Sequence, residues 1–214
     1  MPAGPGLPPA RIEPFGERVL AAGTQLWRIH DASRAGNVFN PCRGRRGRFS
    51  PLREAAGACI PSLYAGETRE AAAFETVFRD LPPLPLLRQI LTREFAGRAM
   101  SELRTQRALR LAPMFNQNLA LVGQSRQTMI ESHGTAAYED TCAWAEAIHR
   151  DLPEMDGLLW TSRQQDEALA MLLFGTRVRP DDLQFIATEP LDSGSGRQWI
   201  SDMAKLYRID LIPS

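Results

Sequence analysis

One run constrains the fold more than any other. GLLWTS, residues 157–162, is short, nearly continuously apolar, opened by glycine and closed by Ser162 and Arg163. A run of that length and character is a buried strand, so the chain is organised round a sheet that other elements must cover. TQLWRIH (24–30) adds a strand by alternation, which predicts Trp27 and Ile29 on the buried side and Arg28 on the opposite face. IPSLYA (60–65) and LQFIAT (183–188) read as further strands. In the mixed stretch from Leu86 to Val122, RALRLAP (107–113) and NLALVG (118–123) are the best strand candidates.

The segments between carry helical patterns. Thr68 caps TREAAAFETVFRD, whose apolar stripe is Phe74, Val77 and Phe78, with Glu70 in the first turn and LPPLP (81–85) as the stop. A Thr135 cap opens AAYEDTCAWAEAIHRD, where Tyr138, Cys142, Ala145 and Ile148 recur at spacings of four and three. DEALAMLLFG predicts a short helix from about Asp166 with Gly175 at its C-cap, and Trp199, Met203 and Leu206 mark a last helix after a Ser/Gly turn at 193–196. Strands and helices interspersed without regular βα alternation or an internal repeat predict an α+β single domain. Residues 1–22, with four prolines and two glycines in the first ten positions, read as a loose N-terminal arm on a domain spanning 23–214.

Charge excludes little and points to one place. The 25 basic and 25 acidic residues cancel, so no global field draws the chain to nucleic acid or an anionic membrane. No stretch approaches the roughly 18 to 20 apolar residues of a membrane span, and MPAGPGLPPA lacks the apolar core of a signal peptide, which predicts a cytoplasmic protein. Cys42, Cys59 and Cys142 show neither disulfide-framework nor zinc spacing, and His30, His133 and His149 form no HExxH pattern, so neither a disulfide nor a metal is expected. All but one of the 25 basic residues are arginines, and six of these, at 34, 43, 45, 46, 48 and 53, fall in a Gly/Pro-broken stretch from Asp31 to Gly57. A connection that long in a compact domain is functional or disordered.

Neither GxGxxG nor a P-loop occurs, so a nucleotide would have to be held by arginine side chains. The ordered series LWRIH, GRF, LYAGE with FETVF, and WAEAIH followed by GLLWTSR resembles the RES domain family, named for Arg, Glu and Ser, over about Thr24 to Pro190. The resemblance implies a mixed, ADP-ribosyltransferase-like sheet core and a bacterial toxin that consumes NAD. It implies cleavage of the nicotinamide–ribose bond with water or inorganic phosphate as acceptor and no metal, hence an NAD glycohydrolase or NAD phosphorylase. It also implies an Xre-like antitoxin as cognate partner, no direct nucleic-acid binding, and leaves a homodimer within a larger complex open. Carried over residue by residue, it implicates Arg28 and Arg48 at the NAD pyrophosphate, Tyr64 against the nicotinamide or its ribose, Glu75 at the ribosyl cation, and Ser162 at the nicotinamide end.

Each of these residues has a plainer alternative. Arg28 could be a strand-face arginine paired to a carboxylate, Arg48 part of a solvated basic loop with Arg45 or Arg46 as the ligand instead, and Tyr64 a core aromatic. Glu75 could pair with Arg79 at i,i+4, and Ser162 could cap a following helix. Between Arg48 and Tyr64 the segment REAAGACIPS looks longer than the compact family form, and His30 is left outside the site. Two other functions stay open on sequence: transfer of ADP-ribose onto a macromolecule, and a non-catalytic module that binds NAD or ADP-ribose.

Overall fold

A computed structural model describes residues 4–82, 86–132, 134–164 and 167–214. In chain order the elements begin with β1 (Arg18–Leu20), β2 (Gln25–Asp31), β3 (Leu52–Arg53), β4 (Cys59–Ile60), β5 (Ser62–Gly66), α1 (Arg69–Phe74) and β6 (Gln89–Leu91). Then come β7 (Arg98–Thr105), β8 (Leu109–Pro113), α2 (Asn116–Leu119), α3 (Thr135–Asp151) and β9 (Gly157–Thr161). The last are β10 (Leu169–Phe174), β11 (Leu183–Pro190), α4 (Gly194–Leu206) and β12 (Asp210–Ile212). Eight strands form one mixed sheet in the order β1-β8-β9-β10-β5-β2-β7-β11, parallel between β8 and β9 and antiparallel elsewhere. This is the α+β architecture the sequence predicts.

Connectivity forces that sheet to curl. Residues 21–24 join β1 to β2, yet β8, β9, β10 and β5 lie between them in the sheet. Flat, the two strands would stand about 24 Å apart, whereas the chain from Leu20 to Gln25 reaches at most about 17 Å. The inner face therefore closes on itself, and Leu20, Leu26, Leu63, Leu103, Leu111, Leu159 and Leu173 pack there as one cluster. The outer face carries two clusters. Trp160, Leu172 and Phe174 pack under Trp144, Ala145 and Ile148 of α3, while Ile29 and Met100 pack under Phe74 of α1 and Ile200 and Met203 of α4.

Several expectations change once the sheet is seen. DEALAMLLFG is strand β10, not a helix; its run is apolar on both faces because it lies mid-sheet, so it carries no period to separate strand from helix. Asp166 itself lies outside the described residues. NLALVG is helical, running from α2 into a 3₁₀ turn that ends at Gly123 with φ 70°, and Leu121 is exposed there. Strand β7 escapes pattern reading because two buried positions, Ser101 and Thr105, are polar. Ser101 bonds His30 and Thr188, and Thr105 bonds Ala21 and Thr24. On β2 the expected parity is incomplete: Leu26, Arg28 and His30 are buried as well as Ile29, because the curl covers both faces, and Trp27 is only half-buried.

Within residues 4–22 the opening segment, expected as a loose arm, packs against the domain. Ile12 and Phe15 are buried, Trp144 Nε1 donates to Gly6 O (3.0 Å), and β1 pairs with β8. Cys42 and Cys59 form a disulfide, against the sequence expectation; the antiparallel Asn40–Ser62 bridge sets their two stretches side by side, with Cα atoms 5.9 Å apart across 17 residues of sequence, a proximity spacing alone does not show. In α4 the buried side is Ile200, Met203 and Ala204, and Leu206 is exposed. Of LPPLP, residues 83–85 lie outside the described residues, as does His133. No helix among the described residues is long and apolar enough to cross a membrane.

Candidate active site

Helix α1 is seated by its own first turn. Thr68 Oγ1 accepts from Ala71 N (3.0 Å), and α1 rests so closely on the end of β5 that a Cβ on Gly66 would lie 2.7 Å from Ala72 N. The helix is six residues long, shorter than the pattern TREAAAFETVFRD suggests, because Glu75 caps it and Thr76 Oγ1 turns back to Ala72 O (2.6 Å). That early stop removes Glu75 from the surface helical pairing with Arg79. Arg79 bonds its neighbour Asp80 instead, and the Glu75 side chain is buried.

Two groups meet the Glu75 carboxylate. Ser162 Oγ, at the end of β9, donates to Oε1 (2.9 Å), and Arg48 Nη1 stands 3.6 Å from Oε2. All three side chains are under 10% exposed. Arg48 Nε is also buried and has no acceptor among the described residues, an unmet donor of the kind that calls for a ligand.

The arginine-rich stretch is anchored, not loose. Thr141 Oγ1 of α3 donates to Arg48 O, Cys142 Sγ contacts Gly47 O, and Phe49 N donates to the Tyr64 hydroxyl (3.0 Å). Phe49 and Tyr64 both pack on Trp160, with ring centroids 5.2 and 6.0 Å away. Within the stretch Arg48 turns to Glu75, Arg46 turns away to Glu139 (3.1 Å) and Glu146 (3.7 Å) on α3, and Arg45 lines the cleft. Burial raises the Tyr64 phenol above its ordinary range, so the ring works as a neutral wall.

Above this floor the cleft has two lobes that share Tyr64, Thr76, Arg79 and Arg98. One, of about 450 Å³, contains Arg48 and Glu75. The other, of about 340 Å³, is walled by Arg28, Arg43, Arg45, Arg79 and Arg98 and includes no carboxylate among the described residues that line it. Arg28 donates through Nη1 to Gly36 O (2.6 Å) and Val38 O (2.7 Å), and burial, with nearby Arg34, pushes its pKa down to about 10. Burial likewise lowers Arg98. A larger groove of about 880 Å³ runs along α3; Arg46 lines it, but none of Arg28, Arg48, Tyr64, Glu75 and Ser162 does.

The structure thus brings Arg48, Tyr64, Glu75 and Ser162 together and sets Arg28 in the wall of the adjoining lobe. Arg79 and Arg98 were not anticipated; nothing in FRD or GRA marks them among the chain's many arginines. Among the described residues, no three His, Cys, Asp or Glu side chains converge as a metal site. Fold and site define a curled α+β domain with an arginine-walled cleft around one buried carboxylate. The RES domain pattern matches residues 25–192, and the chain belongs to that family. A solved structure similar in fold is that of the M. tuberculosis MbcT–MbcA toxin–antitoxin complex, with 13% identity, a TM-score of 0.55, and coverage of 80% of this chain and 85% of that one. No curated protein matches the chain.

Proposed function

We propose that this chain cleaves NAD at the nicotinamide–ribose bond and acts as the toxin of a type II toxin–antitoxin pair. The observation that carries the reading is the Glu75 carboxylate, buried in the cleft floor with Ser162 on one oxygen and Arg48 facing the other. When the bond between nicotinamide nitrogen and ribose C1 breaks, its electron pair goes to the pyridinium and nicotinamide leaves neutral. Positive charge develops on the ribosyl carbon and ring oxygen. A fixed carboxylate beside that carbon stabilises the cation, in the way glycosidase carboxylates do. No metal is required, because the leaving group is already activated by its own charge.

The other residues hold the substrate. Arg48 and the part of Arg28 not engaged by Gly36 and Val38 bind the diphosphate, the Tyr64 ring packs against the nicotinamide riboside, and Ser162 keeps Glu75 turned inward. The ribosyl cation is then captured by water, which loses a proton and gives ADP-ribose, or by inorganic phosphate, which gives its 1''-phosphate. Family membership and the toxin–antitoxin neighbour support the toxin role. A cleft walled by arginines also suits an antitoxin that covers it with a carboxylate-bearing segment.

Incubating the purified protein with NAD, with and without phosphate, tests the reaction. Free nicotinamide and a small ADP-ribosyl product are expected, with product mass identifying the acceptor; label left on protein would favour transfer to a macromolecule, and intact NAD would remove the reading. Expression of the chain alone is expected to arrest growth and lower cellular NAD, and co-expression of its antitoxin to restore both. Harmless expression of folded protein with normal NAD counts against the toxin role.

A further inference from the structure

Among the described residues six arginines line the two lobes of the cleft, Arg43 and Arg45 of them exposed, and they differ in what their guanidinium groups already do. Arg48 faces Glu75, Arg79 is paired with Asp80 (3.2 Å), and Arg28 commits Nη1 to two backbone carbonyls. The Arg98 side chain makes no hydrogen bond or ion pair among the described residues, and Glu94 and Asp31 act on it only through space. It is nonetheless half-buried and lines both lobes.

Its backbone is firmly placed. Arg98 opens β7 opposite Asp31, its N–H donates to Phe95 O (3.2 Å), and its carbonyl accepts from Leu191 N (2.8 Å). A guanidinium carried partway out of water without a counter-ion is costly unless a ligand supplies one. Here the backbone holds it at the junction of the two lobes, where an elongated ligand must pass.

We propose that Arg98 is a further substrate-binding residue whose free guanidinium fork grips the diphosphate of the dinucleotide where the two lobes join, an inference that rests on the reading of this cleft as an NAD site. Planar forks bind the paired oxygens of a diphosphate, which a lysine ammonium meets only as a point charge. The residue contacts no reacting atom and so sets affinity, not the chemical step.

The test is calorimetric titration of the purified full chain with ADP, a diphosphate without the nicotinamide riboside, alongside NAD kinetics. Arg98→Gln is expected to weaken ADP binding about ten- to a hundredfold, with Arg98→Lys in between. Adenosine binding is expected to stay unchanged, and the KM for NAD to rise with kcat within about threefold. Should Arg98→Gln fail to fold, Arg98→Lys carries the test. Wild-type ADP affinity and KM in a folded variant overturn the assignment and leave NAD cleavage standing. Loss of ADP binding in the variants, with no NAD cleavage by the wild type, keeps Arg98 as the diphosphate ligand and removes the enzymatic reading. No ADP binding by the wild type overturns the assignment.

Discussion

The Ser162 hydroxyl donates to one oxygen of Glu75, and among the described residues nothing else competes for that bond. Ser162→Ala therefore leaves one buried carboxylate oxygen without its donor, at a cost of about 1–3 kcal/mol. Turnover is expected to fall about tenfold or more as Glu75 loses its orientation, measured as kcat beside thermal unfolding; an unchanged kcat would remove Ser162 from the site. At this scale the sequence was partly legible. The order of short signatures pointed to Arg48, Tyr64, Glu75 and Ser162, and the structure puts Arg48, Tyr64 and Glu75 around one cavity with Ser162 buried behind Glu75. It could not say which loop arginine turns to Glu75, because Thr141, Cys142 and Tyr64 hold the loop from elsewhere in the chain. Nor could it single out Arg98, whose significance lies in being half-buried where the two lobes join with no side-chain partner among the described residues.

Helix α1 shows how an element carries a site. Its seat on Gly66 leaves no room for a side chain, since an added Cβ would meet Ala72 N at 2.7 Å and Ala71 Cβ at 2.8 Å, both rigidly placed. Gly66→Ala is expected to cost about 1–3 kcal/mol by overpacking and to lower activity further than the stability loss explains, because α1 ends in Glu75. Equal melting temperatures and activity would show that α1 shifts freely. At the far end of α3, His149 bonds Thr176 Oγ1 (2.8 Å) and meets the Phe174 ring edge to face. Burial, then nearby Arg177, pushes its pKa down to about 4 from 6.5. The unfolded chain therefore takes up this proton first as pH falls, so the contribution is complete above about pH 6.5 and is lost toward about pH 4. The ring is partly exposed, so the slope is shallow. Melting temperature measured over that interval should fall less in His149→Gln than in the wild type; parallel curves would contradict the assignment.

At the scale of the molecule, the curl that follows from the short β1–β2 connection makes the fold more than the sum of its strands. It closes the inner face over leucines from distant parts of the chain and leaves the outer face with two clusters under separate helices. Strands with an alternating pattern or clear turn signals, such as β2 and β11, were readable in the sequence. The doubly buried β10 and the polar-cored β7 were not, because their identity depends on neighbours found only in three dimensions. The Cys42–Cys59 bond was hidden for the same reason. The central claim is that a buried carboxylate in this cleft breaks the nicotinamide–ribose bond, and the most direct measurement is nicotinamide release from NAD by the purified wild-type chain and by Glu75→Gln. The wild type should release nicotinamide, and the folded variant, with shape kept and charge removed, should be slower by about a hundred- to a thousandfold. Equal release by the two proteins, or none by either, would contradict the account.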